Sequence, residues 1–204
     1  MIEGKSMPET VAGTPPETQR YGLVAIILHW LIALAILGML GVGLWMTELK
    51  NSPTKIEVYT WHKWVGLTVL ALAAFRLLWR LYRRPPAPLP APAWQLRAAA
   101  GTHGLMYLLM LAMPLSGWLQ NSASGFPLSW FGLFKVPALI ARDREAFVFW
   151  QQVHEWLAWT LMAVIALHLA ATIKHHFIDR DSTLTRMLPR FGSGSRTREH
   201  KDPS

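Results

Sequence analysis

Five histidines lie inside apolar runs, where polar side chains are costly, and Arg76 lies among them. His154 and His168 stand fourteen residues apart in "VHEWLAWTLMAVIALHLA", Val153 to Ala170. At about 100° and 1.5 Å per residue, this spacing brings a helix back to within roughly 40° of its starting face while advancing about 21 Å. The two imidazoles therefore look out from nearly one face, one near each side of a hydrocarbon core about 30 Å thick. Each needs a partner, because an unsatisfied polar group in hydrocarbon is strongly unfavourable. His29 lies about 12 Å in from Tyr21 and His168 about 9 Å in from Lys174, so these two share a depth. His62 opens the second apolar run as His154 opens the fourth, so these two share the opposite depth. Two depth-matched pairs, each drawn from two helices, meet the requirement of two stacked bis-histidine haems: each iron takes two trans nitrogens and the macrocycle fills the interhelical space. The plainer reading of any one histidine is an interhelical hydrogen bond. Arg76, fourteen residues after His62, returns to the depth of the inner pair, where a haem propionate is its expected partner; the plainer reading is snorkelling to the inner headgroups. His103, in "GTHGLMYLL", has no partner left at its level and is assigned to contact with a propionate or a quinone.

The elements that must carry these residues are four apolar spans: Tyr21 to Met46, Trp61 to about Leu81, about Thr102 to Leu119, and about Gln152 to Ile173. The expected fold class is all-α, an integral membrane four-helix bundle with two stacked bis-His haems. Residues 1–20 are polar and aperiodic, without the basic start and short apolar core of a signal peptide, and read as a flexible tail. Residues 21–178 form the di-haem domain, and 179–204 a basic C-terminal tail. His175, His176 and His200 fall beyond the spans and are assigned to solvated chain after span four or to the rim of the inner site. "RRPPAPLPAPAW", Arg83 to Trp94, reads as an extended linker. Phe126 to Phe147 is too apolar for a solvated loop and too interrupted by Pro and Gly for a span, so it is expected at the interface, folded over the helix ends.

Composition agrees with a membrane protein: of 204 residues, 52% are hydrophobic and 16% charged. With no cysteine, disulfides, thiolate metal sites, iron–sulfur clusters and covalent haem attachment are excluded, so any haem is held noncovalently. The net charge of +8 sits at the ends of apolar segments and forms no nucleic-acid-binding stripe. With both termini inside, thirteen Lys and Arg lie on that side and six on the other, which predicts cytoplasmic termini.

"RYGLVAIILHW", "WHKWVGL…AAFRLLWRL", "HGLMYLLMLAMPLSGW" and "VHEWLA…ALHLAATIKHHF…DSTLTRMLPR" occur in this order between Arg20 and Arg190. This set resembles the prokaryotic cytochrome b561 family of four-helix di-haem b membrane proteins. The resemblance implies a bacterial inner-membrane location and two noncovalent b haems on His29, His62, His154 and His168. It also implies electron exchange with the quinone pool and, in one branch, oxidation of superoxide with ubiquinone as acceptor. Lys55, Lys63, Lys135, Arg142 and Arg144 on the outer side are positioned to draw in an anion, though Glu48, Glu57, Asp143 and Glu145 dilute that charge. The alternative role is a haem-bearing membrane anchor passing electrons for a partner dehydrogenase or hydrogenase. A haem-free transporter with relay histidines is the third.

Overall fold

The computed structural model describes residues 20–83 and 85–189. Both sequence termini, with His200, Arg84 and most of the basic C-terminal charge, lie outside them. Four long helices follow one another: α1 (Leu23–Glu48), α2 (Pro53–Tyr82), α3 (Ala93–Ser124) and α4 (Arg144–Ile173), the last continuing into a π-helical turn, Lys174–Ile178. All four are long and apolar enough to cross a membrane.

Three of the helices outrun the apolar spans because capping chemistry, not hydropathy, sets their ends. Ser52 caps α2, its hydroxyl accepting from the Lys55 N–H at 3.3 Å with Pro53 at the first helical position. The missing proline N–H costs nothing there. Asp143 caps α4, accepting from the Ala146 N–H at 2.7 Å. Gly125 ends α3 at φ 77°, a left-handed conformation that favours glycine. The position also has no room for a side chain, since a Cβ would stand 2.7 Å from Arg142 Cδ. The proline-rich linker is shorter than the composition suggests: Ala93 and Trp94 already belong to α3.

The loop between α3 and α4 adds the small β element that an all-α reading omits. Strands β1 (Leu128–Trp130) and β2 (Phe134–Val136) pair antiparallel, with Leu128 opposite Val136. Phe131 and Gly132 take the turn at φ 47° and 73°. Indole N–H groups tie the loop to the helix ends: Trp64 donates to the Ser129 carbonyl, Trp130 to Thr68 Oγ1 at 3.1 Å, and Trp118 to the Pro137 carbonyl at 2.9 Å.

At mid-depth each helix gives two residues to one apolar cluster: Ile32 and Ile36, Val69 and Ala73, Leu109 and Met110, Leu161 and Val164. Leu161 falls midway between His154 and His168, and Val69 midway between His62 and Arg76. The cluster thus separates two polar levels, named outer (His62 and His154) and inner (His29 and His168) after the orientation expected from the sequence. The closely packed pairs are α1 with α2, α2 with α3, and α3 with α4.

Candidate functional site

At the outer level, the His62 and His154 rings face each other with centroids 6.4 Å apart and planes at 77°. A cavity of about 930 Å³ opens beside them, and both rings line it. His154 is held from α3. Its Nδ1 lies 3.1 Å from the Met113 carbonyl and 2.9 Å from Ser116 Oγ, and that hydroxyl donates to the same carbonyl at 2.7 Å. An Nδ1–H given to a carbonyl leaves Nε2 free as a ligand. Gly117 makes this approach possible: a Cβ there would stand 3.0 Å from His154 Cε1 and 3.3 Å from Nδ1. On the other wall, a Cβ on Gly43 would lie 3.4 Å from His62 Cε1. The His62 Nδ1 is buried with no hydrogen-bond partner among the described residues.

At the inner level, the His29 and His168 rings also stand 6.4 Å apart, with planes at 68°. His103 does not stand alone there, as depth counting had it; its ring centroid is 5.9 Å from that of His168. Arg76 donates to the Ala25 carbonyl at 2.7 Å. That carbonyl also accepts the His29 N–H in the α-helical ladder, so Arg76 ties α2 to the turn that carries His29.

These residues fit a haem sandwiched between imidazoles. An imidazole nitrogen sits about 2.0–2.1 Å from a first-row metal such as zinc and about 1.1 Å from its own ring centroid, so two trans imidazoles put their centroids about 6.3 Å apart. Both observed pairs match this spacing. The helices that carry them, α4 with α1 and α4 with α2, are not among the closely packed pairs, so each imidazole pair spans a gap between helices. The unpartnered His62 Nδ1 is the kind of buried polar group that a bound ion or cofactor accounts for.

The family model of prokaryotic cytochrome b561 matches residues 20–190. The chain belongs to the prokaryotic cytochrome b561 family. Among its relatives, cytochrome b561 homolog 2 of Escherichia coli (strain K12) is 39% identical over 178 residues, covering 86% of this chain and 94% of its own. Cytochrome b561 homolog 1 of the same organism is 33% identical, covering 84% and 98%. A protein of Yersinia pestis named "Probable superoxide oxidase CybB" is 30% identical, covering 84% and 97%. Family membership makes this chain a multi-pass bacterial membrane protein of electron transfer that uses b-type haem.

In this cytochrome b561 family member, several site residues escape a search for titratable groups. Gly117 acts through the space it leaves, Ser116 through its hydroxyl and Met113 through its backbone carbonyl, and "MPLSGW" signals them only by placing small residues around a proline inside an apolar run. The segment after α4 carries a second group. Asp179 to Pro189, read from sequence as part of a tail, packs back over the inner end of α1. Trp30 Nε1 donates to the Met187 carbonyl at 2.8 Å, Arg20 to the Leu188 carbonyl at 2.8 Å and to the Thr185 carbonyl, and Arg186 to the Ala87 carbonyl at 2.8 Å. His175 closes on Asp181 and Asp179 at 2.8 and 3.0 Å, and Lys174 joins Asp179 at 2.6 Å.

Proposed function

We propose that this protein passes single electrons across the membrane between an outer donor and the quinone pool, with His29 and His168 holding an inner b haem and His62 and His154 an outer one. The observation that carries this reading is the repetition of one imidazole spacing, 6.4 Å, at both levels. When bound, haem supplies one-electron chemistry. The chain supplies the rest: four imidazoles as ligands, the Met113 carbonyl as the group that orients His154, and an apolar cluster that keeps water from the space between the levels. His154 and His168 are separated by about 21 Å along α4.

The finer reading is a superoxide:ubiquinone oxidoreductase with both termini cytoplasmic. Two superoxide anions give up one electron each to become dioxygen, and ubiquinone takes two electrons and two protons to become ubiquinol. Lys63, Arg142 and Arg144 line the outer cavity, where their charge favours an approaching anion. The name of the Yersinia pestis relative supports the same assignment. At the inner level His103 is the residue we assign to a quinone headgroup.

Purified protein should contain two low-spin b haems per chain. Superoxide generated in solution should reduce them at a rate that falls with ionic strength, and a soluble ubiquinone analogue should reoxidise them. A single haem per chain would remove the paired-site reading. Reduction no faster than in a haem-free control would remove the superoxide assignment alone.

A further inference from the structure

The two levels differ in what orients their histidines. At the outer one, a backbone carbonyl and a serine hydroxyl hold His154 by its Nδ1. At the inner one, no hydrogen bond to the ring of His29 or His168 is found among the described residues, and ring packing takes its place. The Trp30 indole lies edge-on to His29, centroids 5.4 Å apart at 75°. Such a contact fixes a ring plane only if the indole itself is fixed, and the Met187 carbonyl fixes it through Nε1.

Met187 lies in a segment anchored on three sides. The Asp181 N–H donates to the His175 carbonyl at 3.1 Å and His175 Nδ1 donates to the Asp181 carboxylate, fastening it to the end of α4. Tyr21 N–H donates to the Arg186 carbonyl at 3.4 Å, and Arg20 adds two more bonds, fastening it to the start of α1. Arg186, only 6% exposed, reaches the Ala87 carbonyl of the α2–α3 linker and stands 5.9 Å from the Tyr21 ring. A terminal tail would not need a buried arginine, whereas a segment with a set position would.

We propose that Trp30 is a positioning residue for the inner redox site: the segment Ser182–Leu188 holds its indole N–H and thereby fixes the plane of the His29 imidazole. This rests on the reading of His29 as an axial ligand. Fixing the imidazole plane fixes the orientation of the ligand's π orbitals about the iron, so the spectroscopic signature of the inner haem alone depends on the C-terminal segment. The outer haem, oriented from α3, does not.

The test uses the haem-loaded full chain in detergent. Low-spin electron paramagnetic resonance signals are assigned to a level by their loss in His29→Ala or His62→Ala. Trp30→Phe keeps an aromatic edge and removes the N–H; Arg186→Met loosens the segment and leaves Trp30 intact. Both should shift or broaden the inner signal, leave the outer one unchanged and keep wild-type haem content. Both should also speed hydrogen exchange of residues 182–188, by about fivefold for the loss of one hydrogen bond. Faster exchange with an unchanged inner signal would overturn the proposal, as would equal changes in both signals. Absence of an inner low-spin signal from the wild-type protein would instead remove the ligand reading, and the proposal with it.

Discussion

Gly117→Ala probes the outer site by steric means without touching a candidate ligand. The added Cβ would meet His154 Cε1 at 3.0 Å and Nδ1 at 3.3 Å, whereas nonbonded carbons settle at about 3.5–4.0 Å. The ring must therefore retreat by about 0.5–1 Å, away from α3 and its hydrogen bonds to Met113 and Ser116. Overpacking on this scale costs about 1–3 kcal/mol, equivalent to roughly a five- to 150-fold weaker hold on the outer haem. The assay is haem content by pyridine haemochrome, with the reduced spectrum of each level, on protein washed in detergent. Outer haem should be depleted and inner haem retained. Gly43→Ala, whose Cβ would meet His62 Cε1 at 3.4 Å, should have a smaller effect, and Gly101→Ala, where nothing lies within 4 Å, none. Full haem content and an unaltered outer spectrum in Gly117→Ala would refute the claim that glycine admits the His154 ring.

Replacing His62 with alanine should remove the outer haem and about half of the total, since His154 alone cannot fill both axial positions; His29→Ala should do the same at the inner level, and retention of two low-spin haems in either would break the pairing. Arg76→Leu should lower the midpoint potential of the inner haem, because a nearby positive charge stabilises the more negative reduced form; an unchanged potential in a fully loaded mutant would confine Arg76 to its bond with the Ala25 carbonyl. His103→Ala should slow quinone reduction with both haems retained, and an unaffected rate would place the quinone elsewhere. Burial pushes the Asp181 carboxyl up, but hydrogen bonds from Thr183 and His175 outweigh it and hold the group below its ordinary value of 3.8. A depressed carboxyl contributes its stability in full above that value and loses it as pH falls through the lower folded value. Hydrogen exchange of residues 182–188 should therefore stay slow down to about pH 4 and speed up below it, and Asp181→Asn should abolish that step.

Much of the site is legible in the residues. Inside an apolar run a histidine must find a partner, and the helical repeat converts sequence position into depth and face, so His29, His62, His154 and His168 sort into two levels before any coordinate is known. The spans follow from the same constraint, because backbone polar groups in hydrocarbon must be satisfied within the helix. The helix ends are less legible: α2 begins at Pro53, eight residues before the apolar run, because Ser52 and Pro53 form a start signal that hydropathy does not weigh. Lateral proximity is not legible at all. Depth assigns His103 to the inner level, but only the placement of α3 beside α4 brings its ring to 5.9 Å from His168.

By itself, then, the sequence determined four membrane-crossing helices and the depth of each polar group, since both depend on one residue's cost in hydrocarbon and on a fixed rise per residue. Only the tertiary structure decided which backbone atoms hold the His154 imidazole and the Trp30 indole, because the Met113 and Met187 carbonyls carry no residue-type signal and act through contacts across 41 and 157 residues of chain. It also decided that a polar, proline-ended segment after α4 packs against the start of α1, where Arg20, Tyr21 and Trp30 hold it. The Arg186 side chain is unfavourable in an apolar setting when unpaired and becomes buried here because the Ala87 carbonyl and the Tyr21 ring, distant in sequence, converge on it.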